Sequence, residues 1–105
     1  MNSSEHTIEL PKDGPLRVAG APDTYAAAEL RDRLAQALEE RAELAVDLSA
    51  VESCDFTTIQ LLCSARRSAG ERGKPFKVTA LSEAVAGACA ALGLSPEALA
   101  AAREE

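Results

Sequence analysis

The sequence predicts a single α/β domain in which a mixed sheet of about four strands is covered by about four helices. Two patterns lead to this prediction. Short runs that are alternating or almost wholly apolar are interspersed with longer segments whose apolar residues recur every three or four positions. The resulting order, β-β-α-β-α-β-α-α, implies parallel strands joined by right-handed crossovers. A length of 105 residues suits one domain over 1–105, with its core at about 6–100.

An N-terminal hairpin is predicted from two short strands, 7–10 and 16–18. The residues between them include two prolines and a glycine, which favour a turn. Pairing of these strands would add an antiparallel strand to the parallel strands that follow.

The first helix is predicted over 24–41, with Asp23 as its N-cap. Its inner stripe is expected to consist of Ala27, Leu30, Leu34, Ala37, Leu38 and Arg41. The following strand, 44–48, is apolar apart from Asp47, which predicts a strand covered on both faces. Asp47 itself is expected to bind loop amides, which is a structural role.

Two more helices and a strand complete the predicted core. The second helix, 58–70, has the inner stripe Thr58, Leu61, Leu62, Ala65 and Ala69, and the strand 75–80 follows with Phe76 and Val78 on one face. Ser82 is predicted to cap a third helix that ends at Gly93. The inward residues of that helix are expected to be Val85, Ala88, Cys89 and Leu92. A short fourth helix is predicted at about 96–103.

Composition argues against several classes of function. A net charge of -6 disfavours nucleic acid and anionic membrane surfaces, because their phosphates demand a basic patch. The basic cluster Arg66, Arg67, Arg72, Lys74 and Lys77 is interpreted as a solvated helix face. Three cysteines without a C-x-x-C pair indicate reduced thiols and a cytoplasmic protein. No apolar run reaches the roughly 18 residues of a membrane helix, so membrane insertion is not expected.

Catalysis and cofactor binding are not expected either. His6 is the sole histidine, which leaves no ligand set for a metal site. Cys54 has no histidine base nearby in the sequence, and the chain lacks the Gly-x-x-x-x-Gly-Lys-Ser/Thr phosphate loop. We therefore predict a protein that is not an enzyme and that needs no cofactor.

The segment 44–62 carries the most information about function. It is typical of a buried strand, a polar turn and a helix start, where the hydroxyls of Thr57 and Thr58 are adjacent. A hydroxyl at that position either caps the helix or carries a phosphate that the helix end tolerates. Both roles are open for Thr57. For Thr58 the inner stripe favours core packing.

The same segment resembles the STAS domain, the fold of bacterial anti-sigma factor antagonists. The resemblance is carried by Asp47-Leu48-Ser49 at a strand end and by Asp55-Phe56-Thr57-Thr58-Ile59 at a helix start. The runs Gly73–Val78 and Leu92-Gly93-Leu94 extend it over about residues 6–100. Two residues depart from the family pattern, since Phe56 replaces a small residue and Thr58 replaces a glycine.

The resemblance implies a regulatory interaction module. In this family a partner kinase phosphorylates a hydroxyl at the helix start, which here implies Thr57, with Thr58 as the alternative. The implied partner-binding residues are Asp55, Phe56, Thr57, Thr58 and Gln60. Asp55 is expected to serve the turn first and the interface second.

The implied partner is an anti-sigma factor or kinase with an ATP-binding domain, together with a phosphatase that reverses the modification. Similar small STAS proteins are structural subunits that dock on the ATPase of lipid-transport ABC complexes, and others are signalling proteins of chemotaxis operons. Both alternatives stay open, as does a homodimer. Nucleic acid is not an expected partner.

Overall fold

The structure is a computed structural model that describes residues 6–12, 14–21 and 24–93. The elements are β1 (His6–Glu9), β2 (Leu16–Gly20), α1 (Thr24–Glu40), β3 (Leu44–Val51), α2 (Phe56–Glu71), β4 (Phe76–Leu81) and α3 (Glu83–Ala91). The predicted α/β class is confirmed, with three helices in this part of the chain. The predicted cap Asp23 and the predicted fourth helix at about 96–103 lie outside the described residues.

The four strands form one mixed sheet in the order β1-β2-β3-β4. β1 pairs antiparallel with β2, from His6 opposite Gly20 to Glu9 opposite Arg17, so the predicted hairpin is confirmed. β2 pairs with β3 and β3 with β4 in parallel. Parallel neighbours need crossover connections, and α1 and α2 supply them.

The core lies between one face of the sheet and the helices. Leu16 and Val18 of β2, and Phe76 and Val78 of β4, are buried at alternate positions along their strands. The largest fully buried side chains come from both layers and include Leu16, Leu30, Leu44, Leu48, Ile59 and Leu62. Burying each such side chain stabilises the fold by roughly 1.5–3 kcal/mol.

The opposite face of the sheet, called here the open face, is exposed. The prediction that β3 is covered on both faces is therefore wrong. Arg17, Lys77 and Thr79 alternate with buried neighbours and are exposed, and Asp47 is half-buried between their strands. The run in β3 looked continuous because its outward residue Ala45 is small and apolar, whereas the neighbouring strands alternate plainly.

Several residues of the predicted helix stripes are misplaced. In α1, Ala26 is buried while the predicted Ala27 is half-buried, and in α2, Ile59 is buried while the predicted Leu61 is half-buried. Leu92 was expected to face inward, but it is 38% exposed. The reason is that α3 ends at Ala91, so the helical spacing no longer places the next side chain over the core.

Arg41, predicted on the stripe of α1, has a different role. It lies just past the helix and donates hydrogen bonds to the carbonyl oxygens of Pro11 and Gly14, with a third contact of 3.4 Å to that of Lys12. Its guanidinium thereby joins the end of α1 to the turn between β1 and β2. A planar group with several donors suits a turn that offers several carbonyls.

Candidate partner-binding site

The turn that leads into α2 is held by the end of β2. The carbonyl oxygen of Gly20 accepts the backbone N–H of Glu52 at 2.6 Å and that of Ser53 at 3.4 Å. Gly20 has a φ of 83°, a left-handed backbone that residues with a side chain rarely adopt. One peptide unit therefore fixes where the chain leaves the sheet and approaches the helix.

Asp55 is the N-cap of α2, and the helix begins at Phe56, two residues before the predicted start. Its Oδ1 atom accepts the backbone N–H of Thr58 at 3.1 Å and the Thr58 hydroxyl at 3.2 Å. Of the two roles left open for Thr57, the capping role is excluded, because the Asp55 carboxylate already fills that position. Thr57 is instead the second residue of the helix.

The two neighbouring hydroxyls lie in different surroundings. Thr58 is 4% exposed and its hydroxyl donates to Asp55, so its predicted packing role is confirmed. Thr57 is half-buried, and its hydroxyl makes no hydrogen bond within the described residues. Of the pair, Thr57 is the hydroxyl that another protein reaches more easily.

Phe56 and Gln60 complete the exposed surface at this helix start. Phe56 is 54% exposed although its side chain is large and apolar. Gln60 is exposed one turn later, on the same side as Phe56 and Thr57, since residues three and four apart are neighbours on a helix. The structure thus brings together Phe56, Thr57 and Gln60 of the predicted site, with Asp55 half-buried beside them and Thr58 beneath the surface.

A comparison with known families agrees with this architecture. A family model described as "Mlab, STAS domain" matches residues 7–100. The chain belongs to the STAS domain family. This chain is therefore a regulatory or interaction module of the STAS type. STAS domains typically lack enzymatic activity. A search of curated proteins gives no match. In the described ranges, no helix has both the length and the apolar character of a membrane span.

Asp47 of this STAS domain lies outside the α2 surface and has a structural role. It accepts the backbone N–H of Ser49 at 2.9 Å and the Ser49 hydroxyl at 2.7 Å. The backbone hydrogen bond, then the hydroxyl and the nearby Arg17 guanidinium, hold the pKa of Asp47 below its ordinary 3.8. The expected structural role is confirmed, although the amide that Asp47 binds belongs to Ser49 of the same strand and not to a loop.

Two of the cysteines of the STAS domain, Cys54 and Cys89, have thiols of low reactivity. Burial, with a further contribution from the Asp55 carboxylate, raises the pKa of Cys54 to about 11. Burial also raises the pKa of Cys89. All three thiols are free. A thiol with a raised pKa holds little nucleophilic thiolate at neutral pH. Among the described residues, no group of three or more His, Cys, Asp or Glu side chains could hold a metal ion.

Two residues that shape the site were missed in the sequence. Gly20 is not among the predicted site residues, because the carbonyl contacts that it provides have no signature in the sequence. Leu92 was assigned to the core by helical spacing. The early end of α3 moves it to the surface, where it lines a groove with residues of α2.

Proposed function

We propose that this STAS domain is an anti-sigma factor antagonist. In this proposal the start of α2 binds an anti-sigma factor that is also a Ser/Thr kinase, and Thr57 is the residue that this kinase phosphorylates. The observation that carries the proposal is the difference between the two hydroxyls. Asp55 binds that of Thr58, while that of Thr57 is unbound at an exposed helix start. Binding sequesters the anti-sigma factor and thereby releases a sigma factor.

Phosphorylation then acts on the interface. A phosphate adds roughly -1.5 to -2 charges, and the free N–H groups and positive dipole end of a helix N-terminus accommodate it. The fold is therefore expected to persist. The surface changes more, because Glu52 and Asp55 already make it acidic and a hydrated dianion would stand beside the exposed Phe56.

The test captures partners from host lysate on the full-length chain. The baits are wild type, Thr57→Ala and Thr57→Glu, and mass spectrometry identifies the captured proteins and maps phosphorylated sites. Wild type and Thr57→Ala are expected to retain a protein with a kinase-type ATP-binding domain that Thr57→Glu loses. Thr7→Glu is the matched control, since it makes the same change at an exposed threonine of β1. Equal capture by Thr57→Glu would refute the proposal.

Phosphate transfer provides a second readout for the same proposal. With the captured kinase and ATP, phosphate is expected on wild type and on Thr58→Ser, but not on Thr57→Ala. Thr58→Ser keeps the hydroxyl that donates to Asp55, so the helix start stays capped. Phosphate on residue 58 of the Thr57→Ala variant would assign the switch to Thr58 instead.

A second candidate function is that of a structural subunit docking on the ATPase of a lipid-transport ABC complex. The description of the matching family, which names Mlab, favours it. The exposed Phe56 also favours it, since an aromatic anchor binds a partner without any phosphate. In this case all three baits, wild type, Thr57→Ala and Thr57→Glu, capture the same transporter ATPase without phosphate on Thr57, and Phe56→Ala loses it.

A chemotaxis gene neighbourhood would instead place the switch in chemotaxis signalling.

A further inference from the structure

A groove runs along the outer side of α2 and is bordered by the end of α3. Its lining includes Phe56, Gln60, Cys63, Ser64 and Arg67 of α2, and Leu92 beyond α3. We call this lining the α2–α3 groove. The five α2 residues recur at four-, three-, one- and three-residue steps and so form one stripe of the helix. Part of the stripe lies inside the surface assigned above to the partner, but most of it extends beyond.

Two exposed apolar side chains in this groove are unusual for a protein surface. Phe56 is 54% exposed and Leu92 is 38% exposed, and they are the exposed large hydrophobic residues of the described chain. Both line the groove, together with the buried Ile59. Two large apolar side chains facing one groove form a place for an apolar side chain of another molecule.

The far end of the groove is basic. Arg67 is exposed and makes no ion pair with a described residue, whereas Arg72 lies 4.0 Å from Glu39 and Lys77 lies 3.8 Å from Glu43. The sequence cluster of five basic residues is therefore divided among several elements, and Arg67 is its member inside the groove. Its guanidinium is available to a carboxylate of a partner.

The distance between Phe56 and Arg67 determines how long a partner segment must be to contact both residues. Phe56 and Arg67 are eleven residues apart, which corresponds to about 16 Å along the helix axis. A partner helix of about three turns spans the same distance, with apolar residues at three- and four-residue steps and an acidic residue beyond them. A groove with Phe56 at one end of its α2 stripe and Arg67 at the other matches such a helix.

We propose that the α2–α3 groove binds an amphipathic helix of the partner. Apolar side chains of that helix pack against Phe56 and Leu92, and an Asp or Glu two to three turns from the side chain at Phe56 pairs with Arg67. The inference deepens the proposed function and rests on it for the view that α2 faces a protein partner. It adds the chemistry of that partner, which the Thr57 hydroxyl does not specify.

The test uses a probe that requires neither the host partner nor a phosphate. A phage library of 14-residue helical peptides, randomised along one face, is selected against the full-length chain. We expect enrichment of peptides with two large apolar residues on one face and an acidic residue two to three turns away. Phe56→Ala is expected to weaken their binding about tenfold or more, as loss of a central aromatic anchor does.

Charge exchange then tests the basic end of the groove. Arg67→Glu is expected to weaken the selected peptides, and replacing the peptide's acidic residue with Lys is expected to restore binding to that variant. Arg33→Glu is the matched control, because it makes the same change at an exposed arginine of α1. Circular dichroism verifies that each variant is folded.

Three outcomes would overturn the inference. They are the absence of enrichment over a scrambled library, equal binding of the selected peptides to Phe56→Ala, and a wild-type dimer in solution that Phe56→Ala dissociates. The last outcome would mean that a second copy of the chain fills the groove. If the lysate experiment finds a partner that Thr57→Glu loses, but the selected peptides bind Phe56→Ala as well as wild type, the groove inference alone is refuted. If the peptides need Phe56, but no captured partner is lost on Thr57→Glu, only the phosphorylation switch is refuted.

Discussion

At the scale of single residues, Asp55 determines what its neighbours can do. Its carboxylate binds both the amide and the hydroxyl of Thr58, which leaves the Thr57 hydroxyl as the one available at the helix start. The same carboxylate adds negative charge beside any phosphate on Thr57. The Asp55 side chain therefore stabilises the helix, binds the Thr58 hydroxyl and makes the electrostatic potential around the Thr57 hydroxyl more negative.

Removing this cap is expected to destabilise the protein without unfolding it. Asp55→Ala should lower the free energy of unfolding by about 1–2 kcal/mol, since two donors at Thr58 lose their acceptor. Asp55→Asn retains an oxygen at the cap and should cost less. Urea denaturation followed by circular dichroism measures both variants. Equal stability of Asp55→Ala and wild type would contradict the capping role.

Asp47 is expected to give the protein an acid-sensitive contribution to stability. Because its pKa is lower in the folded state than its ordinary 3.8, the unfolded chain binds the proton more tightly. The contribution is therefore present above about pH 4 and disappears as the pH falls through the folded value. Asp47→Asn should cost about 0.5–1.5 kcal/mol at pH 7. Urea unfolding of both proteins between pH 7 and pH 2.5 should show this difference shrinking, and a constant difference would count against it.

At the scale of elements, the end of α1 is attached to the hairpin by side-chain donors. Arg41 binds carbonyls of the β1–β2 turn, and Lys74, which follows α2, donates to the carbonyl oxygen of Leu38 in α1. Carbonyls in the last turn of a helix lack helical partners, so a cation there satisfies them. These hydrogen bonds join the end of α1 to the β1–β2 turn and to the segment after α2, at the end of the domain opposite the α2 start.

Arg41→Met is expected to loosen this attachment. It keeps much of the aliphatic length but removes the donors to Pro11 and Gly14, and should lower the free energy of unfolding by about 1–2 kcal/mol. Hydrogen exchange should rise in β1 more than in β4. Arg31→Met, at an exposed position of α1, is the matched control. If both variants lose the same stability, the hairpin contact is not the cause.

The sheet has one covered and one open face, and substitutions should reveal the difference. Val46 is fully buried on the covered face, so Val46→Ala should cost about 2 kcal/mol or more through lost burial and a cavity. Lys77→Ala on the open face should change stability by less than about 0.5 kcal/mol, because its 3.8 Å contact with Glu43 is exposed. Thermal unfolding measures both variants. A large cost at Lys77 would indicate that the face is covered in solution.

At the scale of the whole molecule, the Cys54 thiol is expected to limit stability at high pH. The folded pKa of Cys54, about 11, lies above its ordinary 9.0, so the folded state retains a proton that the unfolded chain releases. This contribution is complete below pH 9 and is lost as the pH rises towards 11. Cys54→Ala should fall in stability less steeply than wild type between pH 8.5 and 10.5 in urea unfolding. Parallel curves for the two proteins would exclude Cys54 as the source.

Much of the architecture could be predicted from the sequence because it depends on local pattern. The hairpin, the cap at Ser82, whose hydroxyl oxygen accepts the Val85 N–H, and the inner position of Thr58 all follow from neighbouring residues. The start of α2 was misplaced because Asp55 and Thr57 are both competent caps, and local pattern does not rank them. The open face depends on which elements lie across the sheet, which no window of sequence contains. The exposure of Leu92 follows from the end of α3 at Ala91, two residues before the predicted end at Gly93.

The open face has a practical consequence. Because α2 packs on the covered side of the sheet, its outer stripe and the open face look in opposite directions. A fluorophore, a biotin or a surface tether attached through position 79 would therefore leave Phe56 and Thr57 unobstructed. The domain can therefore be immobilised through the open face in one orientation, while the surface at the start of α2 remains accessible to a ligand.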